Sequence, residues 1–315
     1  MGDDLYDSFT AGDPLAAARL MSTVERGGEA AAAVLERVFP RVGRARRVGL
    51  TGSTGAGKSS IASGLIHAYR GAGHTVGVVA EDPSSPFTGG AVLGDRIRMR
   101  RAQGDTGVFV RSIASRGTES GLSTLAIELA DVLDAFGRDL ILLETTGVGQ
   151  LEHRIRYAAD TTVVVFTPES GDEVQSLKSG LIEVGDVFVV NKADRPQADR
   201  FAADLDDTLG VRGPRDGWTP PVLSTVASRE EGIDALVGAI DAHAAHLGAD
   251  GRLSARRRAG LAERVRAVAT ERLAAVFWGS PTIEREFNAI FEAVAAGRLS
   301  PYAAARRLVE SHRGA

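Results

Sequence analysis

The chain has 315 residues, 43% of them hydrophobic and 25% charged, with a formal net charge of −4. That balance supports a sizeable core and excludes wholesale disorder, a nucleic-acid coat and a polybasic membrane binder. No cysteine is present, which excludes disulfide frameworks and thiolate chemistry, and no apolar run nears the roughly 18 residues needed to cross a bilayer.

A cytoplasmic protein that binds neither nucleic acid nor membrane is therefore expected. Only three of the 37 basic residues are lysine, namely Lys58, Lys178 and Lys192. A chain that otherwise uses arginine keeps lysine where a compact ammonium or a slim stem is needed.

Residues 1–46 read as a helical extension, with Asp13-Pro14 as a cap followed by a first-turn proline. From Arg47 onward, short β-branched runs predict strands at Arg47–Leu50, Thr75–Ala80, Val108–Arg111, Leu140–Glu144, Thr162–Phe166, Val187–Val190 and Pro221–Ser224. Helices are predicted between them near Lys58–Arg70, Ser120–Phe136, Val174–Val184, Gln197–Leu209 and Ile233–His246. Strands alternating with helices imply a mostly parallel sheet covered on both faces.

After about Leu253 the strand signals stop. Leu261, Val265, Val268, Leu273 and Val276 have helical spacing, and Gly279-Ser280-Pro281 supplies a stop, a cap and a first-turn proline. Ile283, Phe287, Ile290, Phe291 and Val294 form a second apolar stripe ended by Gly297, and Ser300-Pro301 opens a third helix. The domain reading is thus residues 1–46, a nucleotide domain over 47–250, and a helical dimerisation arm over 251–315.

Gly52-Ser53-Thr54-Gly55-Ala56-Gly57-Lys58-Ser59 fits G-x-x-x-x-G-K-[ST] between a strand and a helix, which identifies an α/β P-loop NTPase. Glycines let successive N–H groups turn toward phosphate oxygens at a helix N-terminus. Lys58 would reach the β- and γ-phosphates and Ser59 would ligate Mg²⁺; Ser60 is counted with the loop. Asn191-Lys192-Ala193-Asp194, at the end of a later strand, selects GTP and GDP. Asp194 can accept from guanine N1 and N2, Asn191 can tie the loop down, and the Lys192 stem can cover the base. Thr225, Val226 and Ala227 stand where a further loop touches the base, though Val226 offers backbone groups only. Glu144, in Glu144-Thr145-Thr146-Gly147, is read as an acid acting on Mg²⁺ through a water, and the Gly147 N–H as a γ-phosphate contact. Lys58, Glu144 and Gly147 form the catalytic set. Asp82 and Asp95 are further candidates for Mg²⁺, because hard oxygen ligands suit that ion. Arg98, Arg111 and Arg116 are weighed as charge stabilisers against ordinary ion-pair roles, and Gln150 as a water-positioning residue against a part of the second switch.

Asp82-Pro83-Ser84-Ser85, Thr88-Gly89-Gly90 and Leu93-Gly94-Asp95-Arg96-Ile97-Arg98-Met99 resemble the first switch of the MeaB/ArgK/MMAA family. The likeness continues through Arg111-Ser112, Arg116-Gly117, Glu144 to Gln150, Gly171-Asp172-Glu173-Val174-Gln175, Lys178 and Asn191 to Asp194, across nearly the whole chain. Departures are Ser53-Thr54, Glu119-Ser120-Gly121 and Pro168-Glu169-Ser170. The resemblance implies a homodimeric, Mg²⁺-dependent GTPase that assists an adenosylcobalamin-dependent acyl-CoA mutase, foremost methylmalonyl-CoA mutase. It would gate cofactor loading and protect or reactivate the enzyme, with Gly171–Lys178 as a third switch facing the mutase.

Two other readings compete. A kinase or ATPase acting on a small molecule or transport protein, the older reading of ArgK relatives, is disfavoured by the guanine motif. A metal-insertion chaperone needs a His- or Cys-rich surface. Here six histidines are scattered, and the nearest pair, His243 and His246, is expected to be solvated near a helix end.

Overall fold

The structure is a computed structural model that describes residues 3–83, 104–115, 122–146, 153–168 and 180–311, with the backbone alone for residues 82, 83, 115 and 153. Among the described residues seven strands form one parallel sheet: β1 (Arg46–Gly52), β2 (Val76–Pro83), β3 (Val108–Ser115), β4 (Leu140–Glu144), β5 (Thr161–Phe166), β6 (Val187–Asn191) and β7 (Val222–Thr225). Their order is β3-β2-β4-β1-β5-β6-β7, the parallel architecture that the β-branched runs predict. The chain turns from one half of the sheet to the other beside β1, which pairs with both β4 and β5. Crevices beyond the strand C-termini at such a reversal are where open α/β sheets bind ligands.

Both sheet faces are apolar because alternate side chains of one strand enter different cores. Val79, Ile141 and Leu143 pack with α1 (Asp3–Thr10), α2 (Pro14–Arg26), α3 (Gly28–Val38) and α5 (Thr124–Ala135). Val48, Leu50, Val78, Leu140 and Leu142 face the other way, against α4 (Lys58–Gly71) and α9 (Ile233–Gly248). Asp13 caps α2 as its Asp-Pro sequence predicts, accepting from Leu15 N at 2.9 Å. A short helix that the sequence did not announce, α6 (His153–Ala158), precedes β5. Of the helix expected near Val174–Val184, only α7 (Leu181–Val184) lies among the described residues. The helix α8 (Ala198–Arg212) completes this half.

Buried carboxylates organise the strand N-terminal edge. Asp134 accepts from the N–H groups of Gly43, Arg44 and Ala45 and, with Asp131, holds the Arg47 guanidinium. Asp160 takes Arg47 N and Arg257. Asp186 receives Thr162 N, Arg215 at 2.9 Å and both terminal nitrogens of Arg256 at 3.1 and 2.6 Å. Burial alone would raise the Asp186 carboxyl, but Arg256, His243 and the Thr162 N–H hold it below the ordinary carboxylate range. Arg212 and Arg215 also donate to the carbonyls of Ile182 and Glu183 at the end of α7. The cleft lined by Asp186, Trp218, His243 and these arginines therefore commits its donors to internal partners.

His243 is buried in that cleft, correcting the expectation that it is solvated. Its Nδ1 lies 2.9 Å from Thr161 Oγ1 and its ring lies 4.9 Å from Trp218. His246 is half-buried, 3.1 Å from the Asp216 carbonyl.

The chain divides into two compact units, Met1–Arg257 and Arg258–Ala315. The C-terminal helices are α10 (Arg252–Trp278), α11 (Pro281–Ala295) and α12 (Pro301–Glu310). Ser300 caps α12 through Ala303 N, whereas Ser280, at the cap position of α11, makes no such bond. Of the two apolar stripes read from the sequence, Ile283 is buried, while Leu261, Val265, Leu273, Val276, Phe287 and Phe291 are exposed.

Burial, reinforced by Arg256, His246 and Arg215 against the opposing pull of Asp186, lowers His243 from 6.5 to about 4. The unfolded chain therefore binds the extra proton as pH falls from 6.5 toward 4, and folding loses stability across that window. Urea denaturation should show a loss of about 2 kcal/mol between pH 7 and pH 5, removed by His243→Gln.

Candidate functional site

β1 ends in Gly52 at φ +136°, where a Cβ would sit 2.0 Å from the Val165 carbonyl oxygen, so no other residue fits. The chain then turns through Gly55 and Gly57, both at positive φ, and enters α4 at Lys58. The Lys58 ammonium is buried and donates to the carbonyls of Gly52 at 2.8 Å and Ser53 at 3.0 Å, closing the loop on itself. Ser60 and Ile61 donate to the Gly57 carbonyl and start the helix.

β4 delivers the acid. Leu50 and Glu144 are register partners, and Thr145 N donates to the Leu50 carbonyl at 3.1 Å, which fixes the end of β4 against the phosphate loop. Ser59 Oγ donates to Glu144 Oε1 at 2.6 Å, with both side chains buried. Glu144 is thus an inward-facing strand-end acid rather than a solvated one. The buried hydroxyls of Thr51 and Thr145 lie 3.1 Å apart, a contact that the motifs do not announce. A serine hydroxyl that gives its proton to a carboxylate keeps its oxygen lone pairs for a hard cation, so this pair suits Mg²⁺.

The third contributor is β6. Asn191 is buried, and its Nδ2 donates to the Ala56 carbonyl at 2.8 Å, inside the phosphate loop. Its Oδ1 accepts from Thr225 Oγ1 and from Ala227 N, each at 3.1 Å. Gly57 is obligatory for the same reason, because a Cβ there would lie 2.2 Å from Asn191 Nδ2. Lys192 takes positive φ, and Ala193 N donates to the Thr225 carbonyl at 3.0 Å. The Val226 N–H is bonded to the Glu231 carbonyl. In the described geometry the Thr225–Ala227 loop braces Asn191, with the N–H groups of Val226 and Ala227 both engaged. Asp194 is half-exposed and ion-paired with Arg229 at 3.0 Å, a partner the motif does not mention.

The structure therefore gathers the phosphate loop, Glu144, Asn191 to Asp194 and Thr225 to Ala227 at the C-terminal ends of β1, β4, β6 and β7. Asp82 lies at the end of β2 with its backbone paired to Ala114, and its side chain is not described. Asp95, Gly147, Arg98, Arg116, Gln150 and the 171–178 segment lie outside the described residues. Arg111 is an ion-pair arginine, held by Glu25 and Ser22 of α2.

With this geometry in hand, similarity to known proteins is specific. The family model described as methylmalonyl Co-A mutase-associated GTPase MeaB matches residues 17–282. A putative GTPase of Pyrococcus abyssi is 42% identical over 314 residues, covering 98% of this chain and 96% of that one. The mouse mitochondrial methylmalonic aciduria type A homolog is 31% identical, covering 98% of this chain and 79% of its own length. The crystal structure of a protein named LAO/AO transport system kinase superposes with a TM-score of 0.73 at 27% identity, over 98% of this chain and 96% of that one.

Asn191→Asp keeps the acceptor for Ala227 but removes the donor to the Ala56 carbonyl. Calorimetric titration should show GDP affinity lowered by at least about tenfold.

Proposed function

The chain belongs to the family of methylmalonyl Co-A mutase-associated GTPases and is a GTPase; from that premise we propose that it is a Mg²⁺-dependent chaperone of an adenosylcobalamin-dependent acyl-CoA mutase. The observation that carries the nucleotide half is the Asn191 amide, which joins a guanine-type loop to a phosphate loop in one hydrogen-bonded unit. Methylmalonyl-CoA mutase is the proposed partner, on the strength of the family's description and of the name of the mouse relative.

In this reading main-chain N–H groups between Gly52 and Ser59 receive the phosphates at the N-terminus of α4. Lys58 exchanges its two carbonyl partners for β- and γ-phosphate oxygens. Ser59 would hold Mg²⁺ directly and Glu144 would orient it through the Ser59 hydroxyl or a water, with Asp82 and Asp95 contributing at the same end of the sheet. Bound Mg²⁺ would supply charge neutralisation on the transferring phosphoryl group. Hydrolysis by an in-line water then rests on positioning and electrostatics, with the Gly147 N–H as a γ-phosphate contact. Asp194 accepts from guanine N1 and N2, and the Lys192 stem covers the base.

The switch role follows from the same chemistry. Residues 82–99 and 146–150 would be held by γ-phosphate and Mg²⁺ and released on hydrolysis, biasing the surface offered to the mutase, which residues 171–178 would face as a third switch. That surface would gate loading of adenosylcobalamin and protect or reactivate the enzyme. Homodimerisation through the C-terminal unit is supported by its uncovered apolar side chains. Val265 and Leu273 are 67% and 71% exposed, and Trp278, Phe287 and Phe291 form a chain of ring contacts. A kinase reading draws on the name of the superposed transport system kinase, and phosphotransfer from ATP would favour it.

Titration of the mutase against the protein loaded with a non-hydrolysable GTP analogue and with GDP should give affinities that differ by at least about fivefold. Equal affinities would refute the switch.

A further inference from the structure

We propose that Arg229 is a positioning residue for base selection, holding the Asp194 carboxylate in the orientation that accepts both guanine hydrogens. This deepens the guanine reading of Asp194 and rests on it. Arg229 Nη2 lies 3.0 Å from Asp194 Oδ2, and Arg229 Nε lies 3.5 Å from Glu231 Oε1. Among the described residues Arg229 is the ion-pair partner of Asp194, and it comes from a different loop.

That loop is fixed relative to Asp194 by one bond to the Asn191 side chain and one main-chain bond. Ala227 N is held by Asn191 Oδ1 and the Thr225 carbonyl holds Ala193 N, so both ends of the pair are referenced to one brace. The turn that presents Arg229 is closed by Arg229 N donating to the Val226 carbonyl at 2.8 Å and by Val226 N donating to the Glu231 carbonyl at 3.0 Å. The guanidinium therefore leaves a rigid platform and reaches a side chain that is itself 45% exposed.

A half-exposed aspartate without such a contact samples several rotamers and must be ordered when guanine binds, at an entropic cost. A carboxylate offers about four lone-pair positions, and guanine N1–H and N2–H use one on each oxygen. One contact from Arg229 on Oδ2 leaves room for both, so the pair can persist in the complex. Glu231, at Nε on the same edge of the guanidinium, helps to aim it. Arg229 also separates the negative charges of Asp194 and Glu231, whose repulsion would otherwise turn the base-reading carboxylate away.

The test compares GDP with inosine diphosphate, which lacks the 2-amino group and so forfeits the second hydrogen bond. Arg229 is 54% exposed, so its replacement should leave the melting temperature unchanged. Arg229→Ala is expected to weaken GDP by about five- to tenfold and inosine diphosphate by no more than about twofold, compressing the preference for GDP. Arg229→Lys, which keeps the charge but not the fork, should restore part of that preference. An unchanged preference, whether neither affinity moves or both fall together, would overturn the proposal, as would tighter GDP binding by Arg229→Ala. Asp194→Asn separates this from the underlying reading. It should trade GDP for xanthosine diphosphate, and failure of that trade would reject Asp194 as the base reader whatever Arg229 does.

Discussion

One buried side-chain amide organises the nucleotide end of this molecule. Asn191 gives a hydrogen to the Ala56 carbonyl of the phosphate loop and takes hydrogens from Thr225 and Ala227 of the loop after β7. The phosphate loop, 135 residues earlier in the chain and across β5 in the sheet, is thereby held in one geometry with the loops that follow β6 and β7. Each bond contributes about 1 kcal/mol net, but an unsatisfied partner left behind in a buried site costs more than that mean. The amide also forces glycine at position 57, because a Cβ there would collide with Nδ2. In the proposed reading the phosphate cradle and the purine reader thus acquire a fixed separation, which a nucleotide requires and a free phosphate does not.

The opposite end of the sheet follows a different logic. There arginines lock buried aspartates. Arg47 holds Asp131 and Asp134, Arg257 holds Asp160, and Arg256 with Arg215 holds Asp186. Burying such pairs brings little net stability, but removing one partner would strand a charge, so the pairs fix which helix sits on which strand end. Planar guanidinium groups suit this bidentate work, whereas the described lysines, Lys58 and Lys192, both stand at the nucleotide end. Keeping these arginine–aspartate pairs at that edge holds their charges away from the polyanion expected at the other.

Much of this was legible because the signals were local. β-branched runs bounded by turn residues marked all seven described strands, and the phosphate loop and guanine motif lay contiguous in sequence. What could not be read was set by distant partners. His243 looks like a solvated helix-end residue until Trp218, Thr161 and Asp186 are seen to enclose it. Arg229 is an ordinary turn arginine until it meets Asp194, and Arg111, weighed as a charge stabiliser, meets Glu25 of an N-terminal helix instead. The stripes of α10 and α11 were correctly periodic, but periodicity does not say whether a stripe is buried within its own chain. Here most of the side chains concerned remain exposed. The short helix His153–Ala158 carried too few residues to show a period.

If a cradle of main-chain amides and a purine-reading aspartate are built as one unit, guanine nucleotides are what the site selects. Calorimetric titration of the intact chain with GDP and with ADP, in Mg²⁺, tests it most directly. Tight GDP binding is expected, with ADP weaker by at least about a hundredfold, because a site built to accept two donor hydrogens rejects a base that lacks them. Equal affinities, a preference for ADP, or no binding of either would contradict it.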